Sequence, residues 1–334
     1  MSTAGDGRRI EGVLPYWLDR PDEEAIEIAL EVERAGLETL WIGELVTFDA
    51  VALATAIGDR TDRLRLKLGP LAAGVRSPAA LAFAVSSVAR LTGRSVDIAL
   101  GASSPMIVSG WHDRSWDRPA VRVRETIESL RPILAGERSD YAGELVRTHG
   151  FRLRRPTPQT RISVAAFGPV MTRVAAEQAD EVVLNLVTPE HVSGVSATVE
   201  QAATAVGRRP PAVAVWVPVA VDPGEAAIRQ LAAQLAIYLA PPGYGEMFAQ
   251  LGFPELVEAA RAGARRTELA SRIPLELLEQ VGAIGSASEV AERVAAYHDA
   301  GAEVVGAVPS TAEDPGGRRC LAAVGEIAAR GVLN

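Results

Sequence analysis

Cysteine occurs once in this chain, at Cys320, so no internal disulfide can form. That usage fits a reducing compartment, the cytoplasm. Lysine is as scarce: of 34 basic residues only Lys67 is a lysine, which leaves one candidate for Schiff-base chemistry. Its alternation with Leu64, Leu66 and Leu68 suits a solvated or salt-bridged lysine better than a nucleophile. The four histidines (112, 149, 191 and 298) include no H-x-x-x-H pair, so no metal site is expected. Neither G-x-G-x-x-G nor G-x-x-x-x-G-K occurs, and Gly101-Ala102-Ser103-Ser104-Pro105 fails the G-x-S-x-G elbow at its last position. No run of about eighteen apolar residues is present to span a membrane. Met1 to Arg9 reads as a short polar tail, not a secretory signal. The net charge is −8 and the basic residues are scattered, which argues against a nucleic-acid groove.

What is present is a strand–helix rhythm. Strands are predicted at Ile10 to Tyr16, Thr39 to Gly43, Leu64 to Leu68 (ended by Gly69-Pro70) and Val96 to Leu100. Others follow at Ile162 to Ala166, Glu181 to Asn185, Ala212 to Val221 and Ala302 to Val308. Helices lie between them. Pro21-Asp22-Glu23-Glu24 opens the first, with acids at the positive end of its dipole, and Gly36 closes it. Asp49 caps the second and Ser77-Pro78 the third, which Gly93 stops. The helix from Pro119 should kink near Pro132. The rhythm lapses between Gly136 and Pro158, where turns flank short strands, and again in sixty mostly helical residues broken at Pro241-Pro242-Gly243, Pro254 and Pro274. Eight strands alternating with helices predict a (β/α)8 TIM barrel, one domain over residues 1–334, with insertions near 103–118, 137–160 and 223–285. A Rossmann sheet is the competitor, and it lacks its glycine fingerprint here.

The positive chemical signal is a set of small-residue corners at strand ends, where α/β folds hold ligands. They are Gly69-Pro70-Leu71-Ala72-Ala73-Gly74, Gly101-Ala102-Ser103-Ser104 and Ala165-Ala166-Phe167-Gly168-Pro169. Missing side chains let a flat ring or a phosphate approach the backbone. The third corner opens a helix, whose free N–H groups favour an anion. After Ser104 comes a long loop carrying Trp111 and His112, and long loops in compact domains are more often functional than structural.

In order, AGLETLWIGE, LGPLAAGVRSPAALA, VDIALGASSPMIVSGWH, RETIESLRPILAGE and ISVAAFGPVMTRVAAEQADEVVLNL resemble the bacterial luciferase-like monooxygenase superfamily. The branch most similar is that of the actinobacterial oxidoreductases using the deazaflavin coenzyme F420. The resemblance implies an insertion-bearing barrel, usually a homodimer, acting on a small-molecule substrate. It would place Glu44 at the cofactor edge and have Leu71 and Ala72 back the ring across a bulged, non-prolyl cis peptide. Gly69, Ala73 and Gly101 to Ser104 (Gly101, Ala102, Ser103, Ser104) would line the pocket. Ala165, Ala166, Phe167, Gly168 and Pro169 would hold the phosphate. The sugar-phosphate dehydrogenase branch has Asp-His where this chain has Glu44-Leu45, so that branch's activity does not transfer. Proton donation then falls to His112 or Glu44. Three functions follow from the resemblance: a deazaflavin-dependent enzyme reducing an activated C=C or C=N bond, an FMN-dependent monooxygenase with a separate reductase, or a flavin-binding relative without catalysis.

Overall fold

The computed structural model describes residues 7–331. The first six residues of the polar tail lie outside them, and Arg9, expected in that tail, opens the first strand. In chain order the barrel elements begin with β1 (Arg9–Val13), α1 (Glu24–Arg34), β2 (Thr39–Ile42), α2 (Ala50–Gly58), β3 (Arg65–Ala72), α3 (Pro78–Thr92), β4 (Val96–Gly101) and α4 (Pro119–Ala135). A two-stranded hairpin, β5 (Asp140–Ala142) and β6 (Arg147–His149), precedes β7 (Ile162–Ala165), α5 (Pro169–Gln178), β8 (Glu181–Asn185), α6 (Pro189–Ala205) and β9 (Ala212–Val221). Then come α7 (Glu225–Leu235), α8 (Tyr244–Gln250), α9 (Pro254–Arg261), α10 (Arg266–Arg272) and α11 (Leu275–Val281). The chain continues with β10 (Ala283–Gly285), α12 (Ala287–Asp299), β11 (Val304–Pro309) and α13 (Arg318–Ala329). The fold is a (β/α)8 barrel whose parallel strands are β1 to β4, β7 to β9 and β11. The short strand β10 was not expected; it pairs with the end of β9, Ala283 opposite Val219. Three residues after Gly282 carry too little periodicity to read as a strand.

The chain groups into two compact units, one of Met1–Leu37, Leu184–Gly194 and Ala214–Asn334, the other of Glu38–Val183 and Val195–Val213. In the first, β1 pairs with β11 and β11 with β9. Ile28, Ala29 and Val32 form the buried apolar face of α1. Cys320 is buried on α13, and burial pushes its thiol up to about 12. A thiol held protonated and covered does not react. Ellman's reagent is therefore expected to find no thiol in the native protein and one after denaturation; rapid native labelling would contradict the packing of α13.

In the second unit the order is β2, β3, β4, β7, β8. Caps fall where the sequence puts them: Asp49 accepts from the N–H groups of Val51 and Ala52, Ser77 accepts from Ala80, and Gly93 ends α3 in the left-handed region. Lys67 is not solvated. Its Nζ lies 2.9 and 3.0 Å from the Glu181 carboxylate oxygens and 4.2 Å from the centre of the Trp41 ring. Ser163 donates to the same carboxylate at 2.9 Å, and register sets Lys67 beside Trp41 and Ser163 beside Glu181. The hairpin insertion is pinned to α4 by buried Glu125, which accepts the N–H groups of Glu144, Leu145 and Val146. Burial alone would raise the Glu125 pKa, but those three donors outweigh it and lower it. Among the described residues no helix is long and apolar enough to cross a membrane.

Candidate functional site

Strand β3 does not stop at Gly69-Pro70, as expected, but runs through both to Ala72. It does so by a bulge: Leu68 pairs with Ile98 and Leu71 with Leu100, so that two residues on β3 match one on β4. Gly69 sits at φ 119°, and a Cβ there would lie 2.3 Å from the Ala99 carbonyl oxygen, so only glycine fits. The cis bond expected between Leu71 and Ala72 is absent; the cis peptide among the described residues of this corner is Gly69–Pro70. Proline is the reason, because its tertiary amide cuts the trans preference that a Leu–Ala bond keeps.

The bulge brings the first two corners together. Ala72 pairs with Gly101, and Ala73 N–H donates to the Gly101 carbonyl at 3.1 Å. Leu71 and Ala73 are buried, while Ala72 is half-buried. A Cβ on Gly101 would rest 3.4 Å from Ala165 Cβ and 3.6 Å from Pro70 Cβ, which joins the third corner to the same patch. Ala166 continues it, donating its N–H to the Val183 carbonyl. Phe167 is half-buried; Gly168 and Pro169 are exposed at the start of α5. Gly168, at φ 80° and ψ 161°, offers no side-chain cap, and Pro169 has no N–H. The first-turn N–H groups of Val170 and Met171 thus sit at an end that no side chain covers. Nothing lies within 4 Å of a Cβ built on Gly168, but its backbone conformation belongs almost solely to glycine, so any side chain there strains the fold whatever the space.

The loop after β4 is more ordered than its composition suggests. Ser103 takes φ 63°, Ser104 accepts the Val108 N–H through its carbonyl, and Met106–Trp111 forms a π-helical turn. Short π turns are frequent at functional sites. Ala102 and Ser104 are half-buried and Ser103 is exposed. Trp116 ties the far side of the loop back, its Nε1 donating to the Ala102 carbonyl at 3.2 Å. His112 ends the turn, with its ring exposed.

Glu44 is engaged. Arg76 donates to both of its oxygens, at 2.9 and 2.7 Å, and Ala50 N–H reaches it at 3.1 Å. Arg76 also meets Asp49 at 2.8 Å. Burial would lower the Arg76 pKa, yet the Glu44 and Asp49 carboxylates outweigh it and raise it. A carboxylate held bidentately by a guanidinium is fixed in place as an acceptor, a poor arrangement for a proton donor. Arg76 escaped the sequence reading, because nothing in VRSP signals that a residue before a helix cap reaches across to the end of the neighbouring strand β2. Among the described residues no group of three or more His, Cys, Asp or Glu is placed to hold a metal ion.

A (β/α)8 barrel with a bulged third strand and bare backbone at three neighbouring strand ends defines a class of proteins whose active sites lie at the carboxyl face. Residues 14–303 match the luciferase-like monooxygenase family, and the chain belongs to it. It is 24% identical, over 92% of its length and 96% of the relative's, to a Mycobacterium tuberculosis protein named as a putative coenzyme F420-dependent oxidoreductase. Its fold matches the F420-dependent tetrahydromethanopterin reductase of Methanopyrus kandleri with a TM-score of 0.80 at 18% identity, covering 97% of this chain and 99% of that one. It also matches an F420-dependent secondary alcohol dehydrogenase solved with an F420–acetone adduct, with a TM-score of 0.77 at 15% identity and coverage of 96% and 98%.

Proposed function

We propose that this protein is a coenzyme F420-dependent oxidoreductase that reduces an activated C=C or C=N bond in a small-molecule or natural-product substrate. The observation that carries the reading is the junction of the three corners, where Ala72, Gly101 and Ala165, none with a side chain larger than a methyl group, come together beside Pro70. The named activity of the Mycobacterium tuberculosis relative, aligned over nearly the whole of both chains, supports the choice of coenzyme. When bound, the deazaflavin supplies hydride transfer at its C5 carbon; the rest is the protein's part. The bulge at Leu71 to Ala73 and the strand end at Gly101 to Ser104 give a flat backing for a ring. The first turn of α5, with Ala165 to Pro169, would hold a phosphate through backbone N–H groups. Glu44, fixed by Arg76, would offer the coenzyme a hydrogen-bond acceptor. His112, exposed at the end of the π-helical turn, offers a proton to the substrate. The same reading takes residues 1–334 as one domain working as a homodimer, which light scattering reads directly.

Titration separates this from FMN use. The coenzyme's fluorescence is expected to be quenched on adding protein at concentrations at which FMN is not bound. Tighter binding of FMN, with oxygen consumption when a flavin reductase is supplied, would overturn the reading. With a working acceptor, His112→Ala is expected to lower kcat by about tenfold or more, leaving coenzyme affinity unchanged. An unaltered kcat, where hydride transfer limits the rate, would remove His112 from proton delivery.

A further inference from the structure

The carboxyl ends of β2, β4 and β7 carry apolar side chains where water-facing loops ordinarily carry polar ones. Val46 and Phe48 follow Glu44, Met106 and Trp111 lie on the π-helical turn, and Val170 is the second residue of α5. Their exposures run from 39% for Phe48 to 66% for Val170. Strands β2, β3, β4 and β7 are consecutive neighbours, so these loops leave one edge of one sheet. Exposed apolar residues scattered singly need no explanation, but a set on adjacent loops marks a binding surface. The rim is continuous with the corner patch: Trp116 holds the Ala102 carbonyl, and Val108 covers Gly74, leaving only 3.0 Å for a Cβ there.

Charge narrows the occupant. Arg76 is engaged by Glu44 and Asp49, and Arg118 lies between Asp117 and Glu144. Asp113 adds another exposed carboxylate beside His112. A phosphate or carboxylate on the substrate would have to break one of these pairs, sit among acids or draw on exposed Arg114 alone. Arg114 is the one cation of the β4 loop that pairs with no carboxylate among the described residues.

We infer that this rim selects an uncharged, apolar acceptor, such as a cyclic enone, over phosphorylated sugars and carboxylates. The inference rests on the coenzyme reading above and names the substrate class of that same site. In a cyclic enone of this kind, reduction breaks the C=C π bond and adds hydride at the β carbon and a proton at the α carbon. The reduced deazaflavin is oxidised in turn, and the proton comes from His112, which solvent reprotonates.

Calorimetric binding of three probes, with and without coenzyme, tests it. Carvone and fumarate each carry a carbonyl-conjugated C=C bond, the first without charge and the second with two carboxylates, and glucose 6-phosphate brings a phosphate. Carvone is expected to bind at least about tenfold more tightly than either anion. The double variant Phe48→Ser/Trp111→Ser should weaken carvone by about tenfold and leave coenzyme quenching unchanged. Tighter binding of fumarate or glucose 6-phosphate would overturn the inference, as would parental carvone affinity in the double variant. So would a variant that converts a dimer to monomers with carvone binding intact, because the rim would then be an interface between copies. Failure of the coenzyme reading is seen separately, as absent quenching, and carvone binding to the free protein then still decides the character of the rim.

Discussion

Lys67→Met is expected to destabilise the protein by about 3–5 kcal/mol, since removing one partner of a buried ion pair strands the other charge. The Lys67 and Glu181 side chains are 4% and 1% exposed, so water cannot take over the solvation of the carboxylate left behind. Ser163 would remain its sole side-chain donor in the hydrogen bonds described above. The double variant Lys67→Met/Glu181→Gln should recover at least half of the loss. It removes both charges while the new amide keeps an acceptor for the Ser163 hydroxyl, and a buried pair replaced as a unit is often close to neutral in stability. Denaturant unfolding of the parent, the two single variants and the double variant reads the cycle. A Lys67→Met protein within about 1 kcal/mol of the parent would show that the pair is solvated. Coenzyme affinity is a useful second readout, because Lys67 lies two residues before the Gly69–Pro70 bulge. Loss of stability with affinity retained would confine the pair to a structural role.

Gly101→Val is expected to abolish measurable coenzyme binding, with affinity reduced at least about 100-fold, or roughly 2.7 kcal/mol. Gly101 has no left-handed backbone to protect, in contrast to Gly69 and Gly168, so a side chain there tests space alone. The first added carbon would make ordinary contacts with Ala165 and Pro70. Gly101→Ala should therefore cost less than about tenfold in affinity, and the two further methyl groups of valine should fill the approach to the backbone. Overpacking typically costs about 1–3 kcal/mol of stability, so far-UV circular dichroism and the unfolding midpoint must be recorded alongside the fluorescence titration. A folded Gly101→Val protein binding coenzyme within about threefold of the parent would place the ring elsewhere. The same experiment on Gly168 would be ambiguous, because its positive φ makes strain and crowding inseparable.

The caps, the eight barrel strands and the small-residue corners were legible because each depends on residues adjacent in the chain. Asp49 and Ser77 cap by reaching two or three residues ahead, and Gly93 ends a helix by its own backbone freedom. An alternating run such as Leu64 to Leu68 declares a strand through its own periodicity. The sequence by itself therefore determined the order of the barrel elements, the barrel class and the strand ends at which backbone lies bare. It could not decide the features in which distant residues compete. That β3 continues through Gly69-Pro70 follows from β4 offering it a partner beyond the bulge, and the cis bond falls at the proline of that bulge. That Lys67 is buried follows from Glu181, 114 residues away, arriving two strands along the sheet from β4. That Glu44 is an anchored acceptor follows from Arg76, 32 residues on, forking onto both of its oxygens. Only the tertiary structure decides such matters, because a side chain's role is set by the partner that reaches it, and for these residues the partner lies far along the chain.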